Sequence, residues 1–131
     1  MLHHISIGVS EIVRAGNFYD AVLAPLGYLR VFEDLRPGER HQAIGYGTEP
    51  DKDKFAIKER FADELAPGPG FHLAFAAPSR EAVNEWHKRG LELGATNEGE
   101  PKIWHAFGPN YYAAFLADPD GWQIEAVFKD A

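Results

Sequence analysis

Apolar residues alternate with small or polar ones along residues 2–10 (LHHISIGVS), then recur at three- and four-residue spacings through Ile12, Ala15, Phe18, Tyr19, Val22 and Leu23. Alternation marks a strand with two unlike faces, whereas the wider spacing marks one stripe of a helix. The same plan returns later in the chain. An offset of 68 places His4 on His72, Phe18 on Trp86 and Tyr19 on His87, while the closing glycines, Gly27 and Gly94, are 67 apart. Ser10 is the expected cap of the first helix and Gly27 its stop, with Pro25 ending the regular part sooner. Ser79 behind Pro78 is the expected cap of the second helix. Its predicted stripe is Ala82, Val83, Trp86, Leu91 and Leu93, with His87 on the solvated side.

Strand patterns follow each helix. The first is followed by residues 28–32, 41–46 and 54–59, the second by a weak strand near Ala95 and by 111–117 and 122–128. Each half therefore reads as βαβββ, within a single α+β domain over residues 1–131. Module one covers about 1–65 and module two about 70–131. The segments 48–53 and 66–70 are rich in turn formers, and the second is the expected link between modules.

Composition narrows the partners. With 45% hydrophobic and 25% charged residues, the chain has the make-up of an ordinary globular protein. A formal net charge of −7 without a basic cluster argues against a nucleic-acid or anionic-membrane partner. No cysteine is present, which removes disulfides, thiolate nucleophiles and cysteine-based zinc sites. No leader-like or membrane-spanning apolar run is visible, so a cytoplasmic location is expected.

Candidate chemistry follows from strand parity. His4, Ser6 and Gly8 share one face of the first strand, opposite Ile5, Ile7 and Val9. His72, Ala74 and Ala76 oppose Phe71, Leu73 and Phe75, and Gln123, Glu125 and Val127 oppose Trp122, Ile124, Ala126 and Phe128. In each strand the bulky face can cover a helix, while the other carries small or polar residues and one potential metal ligand. That pattern suits a sheet whose concave side is a pocket. Glu125, within an apolar strand, needs a cation or a donor, because an unpaired buried carboxylate is costly.

The segments HHISIGV, FYDAVLAPLGY, FHLAFAA and YYAAFLADPDGWQIEAV, together with the repeat, resemble the vicinal oxygen chelate superfamily. That family includes glyoxalase I, extradiol dioxygenases, fosfomycin-resistance transferases, methylmalonyl-CoA epimerase and bleomycin-binding proteins. The resemblance implies two βαβββ modules forming a glyoxalase-like half-barrel pair, with metal ligands on the first and last strands. Those ligands would be His4, His72 and Glu125, and the ion a divalent metal: iron, manganese, nickel or zinc. Four-ligand members carry a further ligand at the repeat mate of the last glutamate. Under the ungapped offset that mate is Ile57, and Glu59, of the same parity, could replace it only by a register shift of two. The gap argues against a glyoxalase I activity and leaves a three-ligand set with open positions, as in facial triads.

The resemblance implies a lyase, isomerase, epimerase or dioxygenase that chelates a small oxygen-rich metabolite to the metal. The alternative is a metal-free protein that binds a small ligand, as bleomycin-resistance members do. The acidic charge and Trp104, Phe107, Tyr111 and Phe115 suit that reading. Candidate substrate contacts are Ser6, His41, His105, Tyr111 and Phe115; Tyr112 would pack beneath the second helix. The catalytic base is unassigned. Short two-module members of the family commonly pair, so a homodimer is expected.

Overall fold

The computed structural model of the chain describes residues 1–129. The first sheet is built from β1 (Ile5–Val9), β2 (Leu29–Asp34), β3 (Ala43–Gly47) and β4 (Phe55–Glu59), in the order β1-β4-β3-β2. Helix α1 (Ile12–Leu23) follows β1 and tightens into a 3-10 turn over Ala24–Leu26. The second sheet contains β5 (Leu73–Ala76), β6 (Thr96–Ile103), β7 (Tyr111–Ala117) and β8 (Gln123–Lys129), in the order β5-β8-β7-β6. Helix α2 (Arg80–Glu92) follows β5. In both sheets the first and last strands run parallel and the other pairings are antiparallel. This is the two-module βαβββ, α+β architecture that the repeat implied. By contacts the chain divides into two compact units, residues 1–20 with 28–66, and residues 21–27 with those from 67 onward.

Each unit buries one face of its sheet under helix. In the first, Ile7, Val9, Ile44, Tyr46, Phe55 and Ile57 meet Ile12, Ala15, Phe18 and Tyr19, all at most 5% exposed. Tyr19 and Phe55 pack with ring centroids 5.0 Å apart. The Tyr46 hydroxyl reaches across to donate to Asp20 Oδ1 (2.9 Å), with Gly16 O also within reach at 3.1 Å, and Arg30 clamps the same carboxylate with two bonds. Burial, then the charge and hydrogen bond of Asp20, raise the Tyr46 phenol well above its ordinary value.

In the second unit Ala82, Val83, Trp86, His87 and Gly90 form the buried stripe of α2. Ser79 Oγ caps the helix by accepting from Ala82 N at 3.1 Å, as expected. Two expectations are corrected here. Leu91 and Leu93, assigned to the stripe, are 41% and 42% exposed. Leu91, four residues after His87, lies at the far edge of the stripe centred on Ala82, Val83, Trp86 and Gly90, and Leu93 lies past the last helical residue, Glu92. His87, expected on the solvated side, is buried, with Nε2 lying 3.0 Å from Asn97 Oδ1. The glycine at position 90 lets β7 approach, since a Cβ there would stand 2.4 Å from Leu116 Cδ1.

The weak strand near Ala95 is also longer than expected. β6 runs to Ile103 through Gly99 and Pro101. It lies at the edge of its sheet, where a proline costs no ladder bond, and its register with β7 breaks on both sides of Gly99. His41, expected to open the strand 41–46, precedes β3 in a turn with φ of 66°.

Candidate functional site

Register decides which side chains meet on the open faces. In the second unit Glu125 is paired with Ala74 on one side and Phe115 on the other, so the three share a face. His72, two residues before Ala74, projects to that same face. Its Nε2 lies 2.6 Å from Glu125 Oε1. Glu125 is 1% exposed, yet both its oxygens are engaged, because the Tyr111 hydroxyl donates to Oε2. Burial, then the bond to Glu125 and its charge, push the Tyr111 phenol up to about 12.

Aromatic rings flank this pair. Phe115 stands 6.4 Å from the His72 ring and 5.1 Å from Trp104, and Phe107 stands 5.4 Å from Tyr111 and 6.3 Å from Phe115. Trp104 is fixed by donating its indole N–H to Ala113 O at 2.8 Å, and Lys102 Nζ lies 4.2 Å over its ring. Phe107 is 58% exposed. On the opposite face Tyr112 bonds Asn84 of α2, so the expected parity of β7 holds. The turn that aims β8 is made by Asp118, whose Oδ1 accepts from Asp120 N (3.0 Å) and Trp122 N (2.8 Å), with Gly121 at φ of 96°.

The first unit offers a different open face. There Ser6 is paired with Ala56, and Ala56 with Gly45. Because His4 precedes Ser6 as His72 precedes Ala74, the counterpart of Glu125 is Ala56, not Ile57. The repeat thus carries an offset of 69 at the last strand, one more than at the first. Ile57 faces the core beside Ile7 and Ile44 and is fully buried. Glu59 shares that core-facing parity. Its Oε2 lies 3.5 Å from Ile12 N at the start of α1, and its Oε1 accepts from Gln42 Nε2 at 3.3 Å. Glu59 therefore cannot stand in for a fourth ligand on the face of His4, and alanine holds the place. Where Phe115 fills the second sheet, Gly45 leaves room for Asp53, whose Cβ would stand 2.8 Å from an added Cβ.

Of the expected site residues, His72, Glu125, Tyr111 and Phe115 come together. His105 opens an exposed 3-10 turn (His105–Phe107) in the same unit. His4, Ser6 and His41 belong to the first unit. His4 is exposed just before β1, its Nδ1 2.8 Å from that of His3. What sequence reasoning missed is the Tyr111 bond to Glu125. The signal was available, because Tyr111 and Phe115 share parity on the strand that neighbours the glutamate.

An imidazole nitrogen and a carboxylate are donors of the kinds that divalent ions take, and His72 and Glu125 supply two of them. Among the described residues no three His, Asp or Glu side chains gather closely enough to hold a metal.

Comparison with known proteins adds to this picture. The sequence profile of the Glyoxalase/Bleomycin resistance protein/Dioxygenase superfamily matches residues 1–126. The chain is 27% identical to the uncharacterized protein YqjT of Bacillus subtilis (strain 168), over 96% of this chain and 97% of the other. Its fold is similar to that of a glyoxalase/bleomycin resistance protein from Albidiferax ferrireducens T118, with a TM-score of 0.75, 29% identity and coverage of 96% and 97%. It also resembles a glyoxalase I mutant from Zea mays in fold alone, with a TM-score of 0.75, 17% identity and coverage of 95% of this chain and 45% of that one.

Proposed function

The chain belongs to the Glyoxalase/Bleomycin resistance protein/Dioxygenase superfamily, and on that premise we propose that it is a metal-dependent enzyme acting on a small oxygen-rich metabolite. The observation that carries this reading is the buried Glu125 carboxylate facing His72 Nε2 on an open, aromatic-flanked sheet face. His72 and Glu125 would hold iron, manganese, nickel or zinc, and His4 is proposed as the third donor. The ion would act as a Lewis acid toward a hydroxy-ketone or diol-like group, or, if iron, support oxygenation, which places the reaction among lyases, isomerases, epimerases and dioxygenases. The protein's own residues supply the rest. Phe115, Trp104 and Phe107 offer an apolar wall, and Tyr111 holds Glu125 in place. Ala56 at the fourth place argues against four-ligand glyoxalase chemistry. A homodimer in the cytoplasm completes the proposal; among the described residues no helix is long and apolar enough to cross a membrane.

The test is elemental analysis of protein purified without chelator or polyhistidine tag, beside His4→Ala, His72→Ala and Glu125→Ala. About one equivalent of a divalent metal in the parent, lost in the variants, is the expected result. Metal-free parent protein that stays so after reconstitution would overturn it. The exposed ring of Phe107 beside Phe115 and Tyr111 favours the second reading in that event, a binding protein for an aromatic ligand.

A further inference from the structure

The open face of the second sheet carries a charge that the His72–Glu125 pair does not explain. Lys102 of β6 is paired with Ala113 of β7, which shares its parity with Tyr111 and Phe115, so Lys102 stands on the face of Glu125. Its ammonium lies 4.2 Å over the Trp104 ring, and that ring stands edge-on to Phe115 with centroids 5.1 Å apart. Gly99 makes the arrangement possible, because a Cβ there would stand 2.8 Å from Trp104 Cζ2 and 2.9 Å from Phe115 Cδ2. An ammonium seated on a ring keeps N–H donors turned away from it. Several other cations are already neutralised, Arg30 by Asp20 and Glu33, Arg36 by Asp34 and Glu39, and Arg89 by Glu85. Among the described residues no carboxylate pairs with Lys102. In a chain of net charge −7, an ammonium fixed by a ring and left without an acid is a place for an anion from outside.

We infer that Lys102 is a specificity-determining residue that selects an aromatic monocarboxylate, whose ring lies on Phe107 and Phe115 and whose carboxylate is received by the Lys102 ammonium. This inference rests on the reading of that face as the ligand's apolar wall, and it requires nothing of a metal. The ring belongs on Phe107, which is 58% exposed with its centroid 6.3 Å from that of Phe115. The anion belongs beside Trp104, one ring away from Phe115, where the ammonium is held. A single negative charge matches a single ammonium, whereas a second would be repelled by the Glu125 carboxylate on the same face.

The test titrates the isotope-labelled full chain with naphthylacetate, naphthylethanol and naphthylethylamine, which share a ring and differ in charge. The nuclear magnetic resonance signal of the Trp104 indole N–H, assigned by its loss in Trp104→Phe, gives the affinities. At low ionic strength the acid is expected to bind about fivefold more tightly than the alcohol, the scale of an exposed ion pair, and the amine more weakly than either. Lys102→Gln, which keeps a long side chain on the indole, should bring acid and alcohol to equal affinity, and Lys102→Arg should keep the preference. Lys88→Gln, which removes the same charge from the exposed side of α2, should leave the preference unchanged. A merely structural role for Lys102 would move the affinity for all the ligands together. Equal binding of acid and alcohol by the parent, or an acid preference that persists in Lys102→Gln, overturns the inference and leaves the aromatic wall standing. Absence of any ring binding at the Trp104 signal overturns the wall and this inference with it. Elemental analysis of the same preparations keeps either failure distinct from failure of the metal reading.

Discussion

The two modules share strand order, helix placement and a histidine leading into the first strand, yet their open faces have diverged. Opposite the first strand, module two presents Glu125 and Phe115; module one presents Ala56 and Gly45. The buried faces remain alike, with Phe18 matching Trp86 and Tyr19 matching His87, all at most 7% exposed. The helix-covered side is constrained by packing, while the open side is free to specialise. Module two carries the donor pair, and module one has small residues and the Asp53 side chain in the equivalent spot.

The largest test of this comparison removes the matched helix anchors. Phe18→Ala and Trp86→Ala should each cost about 3–5 kcal/mol in chemical denaturation, because both leave cavities in closed cores. Leu91→Ala and Leu93→Ala should change stability by less than about 0.5 kcal/mol, since both side chains face water. A large loss at Leu91 would restore it to the stripe.

A smaller effect is expected from making the open faces alike. Ala56→Glu places a carboxylate where module two has one, at a position 6% exposed, and the place of Tyr111 is held there by the exposed His41 in the turn before β3. It should cost about 2–3 kcal/mol near neutral pH, and part of that should return on acidification as the new group is neutralised. A neutral or stabilising outcome would show that module one still carries a cradle for the charge. His87→Ala should cost about 1–2 kcal/mol by removing a buried ring together with its bond to Asn97, whose Oδ1 still accepts from Gly99 N, and an undisturbed melting curve would argue against the bond.

The smallest effect concerns the core phenol of module one. The raised value of Tyr46 means that the folded state holds its proton more tightly than the unfolded chain. The resulting stability is fully present below pH of about 10, the ordinary tyrosine value, and is lost as pH rises beyond it toward the folded value. Tyr46→Phe should therefore cost about 1 kcal/mol near neutrality and flatten the alkaline limb of the stability profile. An unchanged alkaline limb would assign that loss to other groups.

Much of this was legible in the sequence, and the misreadings have physical causes. Parity within a strand is local and survives, so His72 and Glu125 were assigned to the correct face from alternation, and Phe115 to the same face from the family resemblance. Parity carried between modules does not survive an uneven loop. One extra residue of offset between the first and last strands moved the expected counterpart of Glu125 from Ala56 to Ile57, and a shift of one exchanges the faces of a strand. His87 was misread although the repeat had set it on Tyr19, because histidine is polar and the bond to Asn97 joins elements distant from any local pattern. β6 was hidden by Gly99 and Pro101, residues that break central strands but are tolerated at an edge.

That edge has a consequence for how the protein behaves when concentrated. An unpaired strand with a complete row of N–H and C=O groups invites copies to add to it and polymerise. Pro101 has no N–H to contribute, the ladder shifts register on both sides of Gly99, and Glu98, Glu100 and Lys102 stand exposed along the strand. Charge and irregularity make β6 a poor template for a foreign strand, so self-association by sheet extension is discouraged there. The same irregularity that concealed the strand from its sequence makes that edge a poor seed for fibre growth.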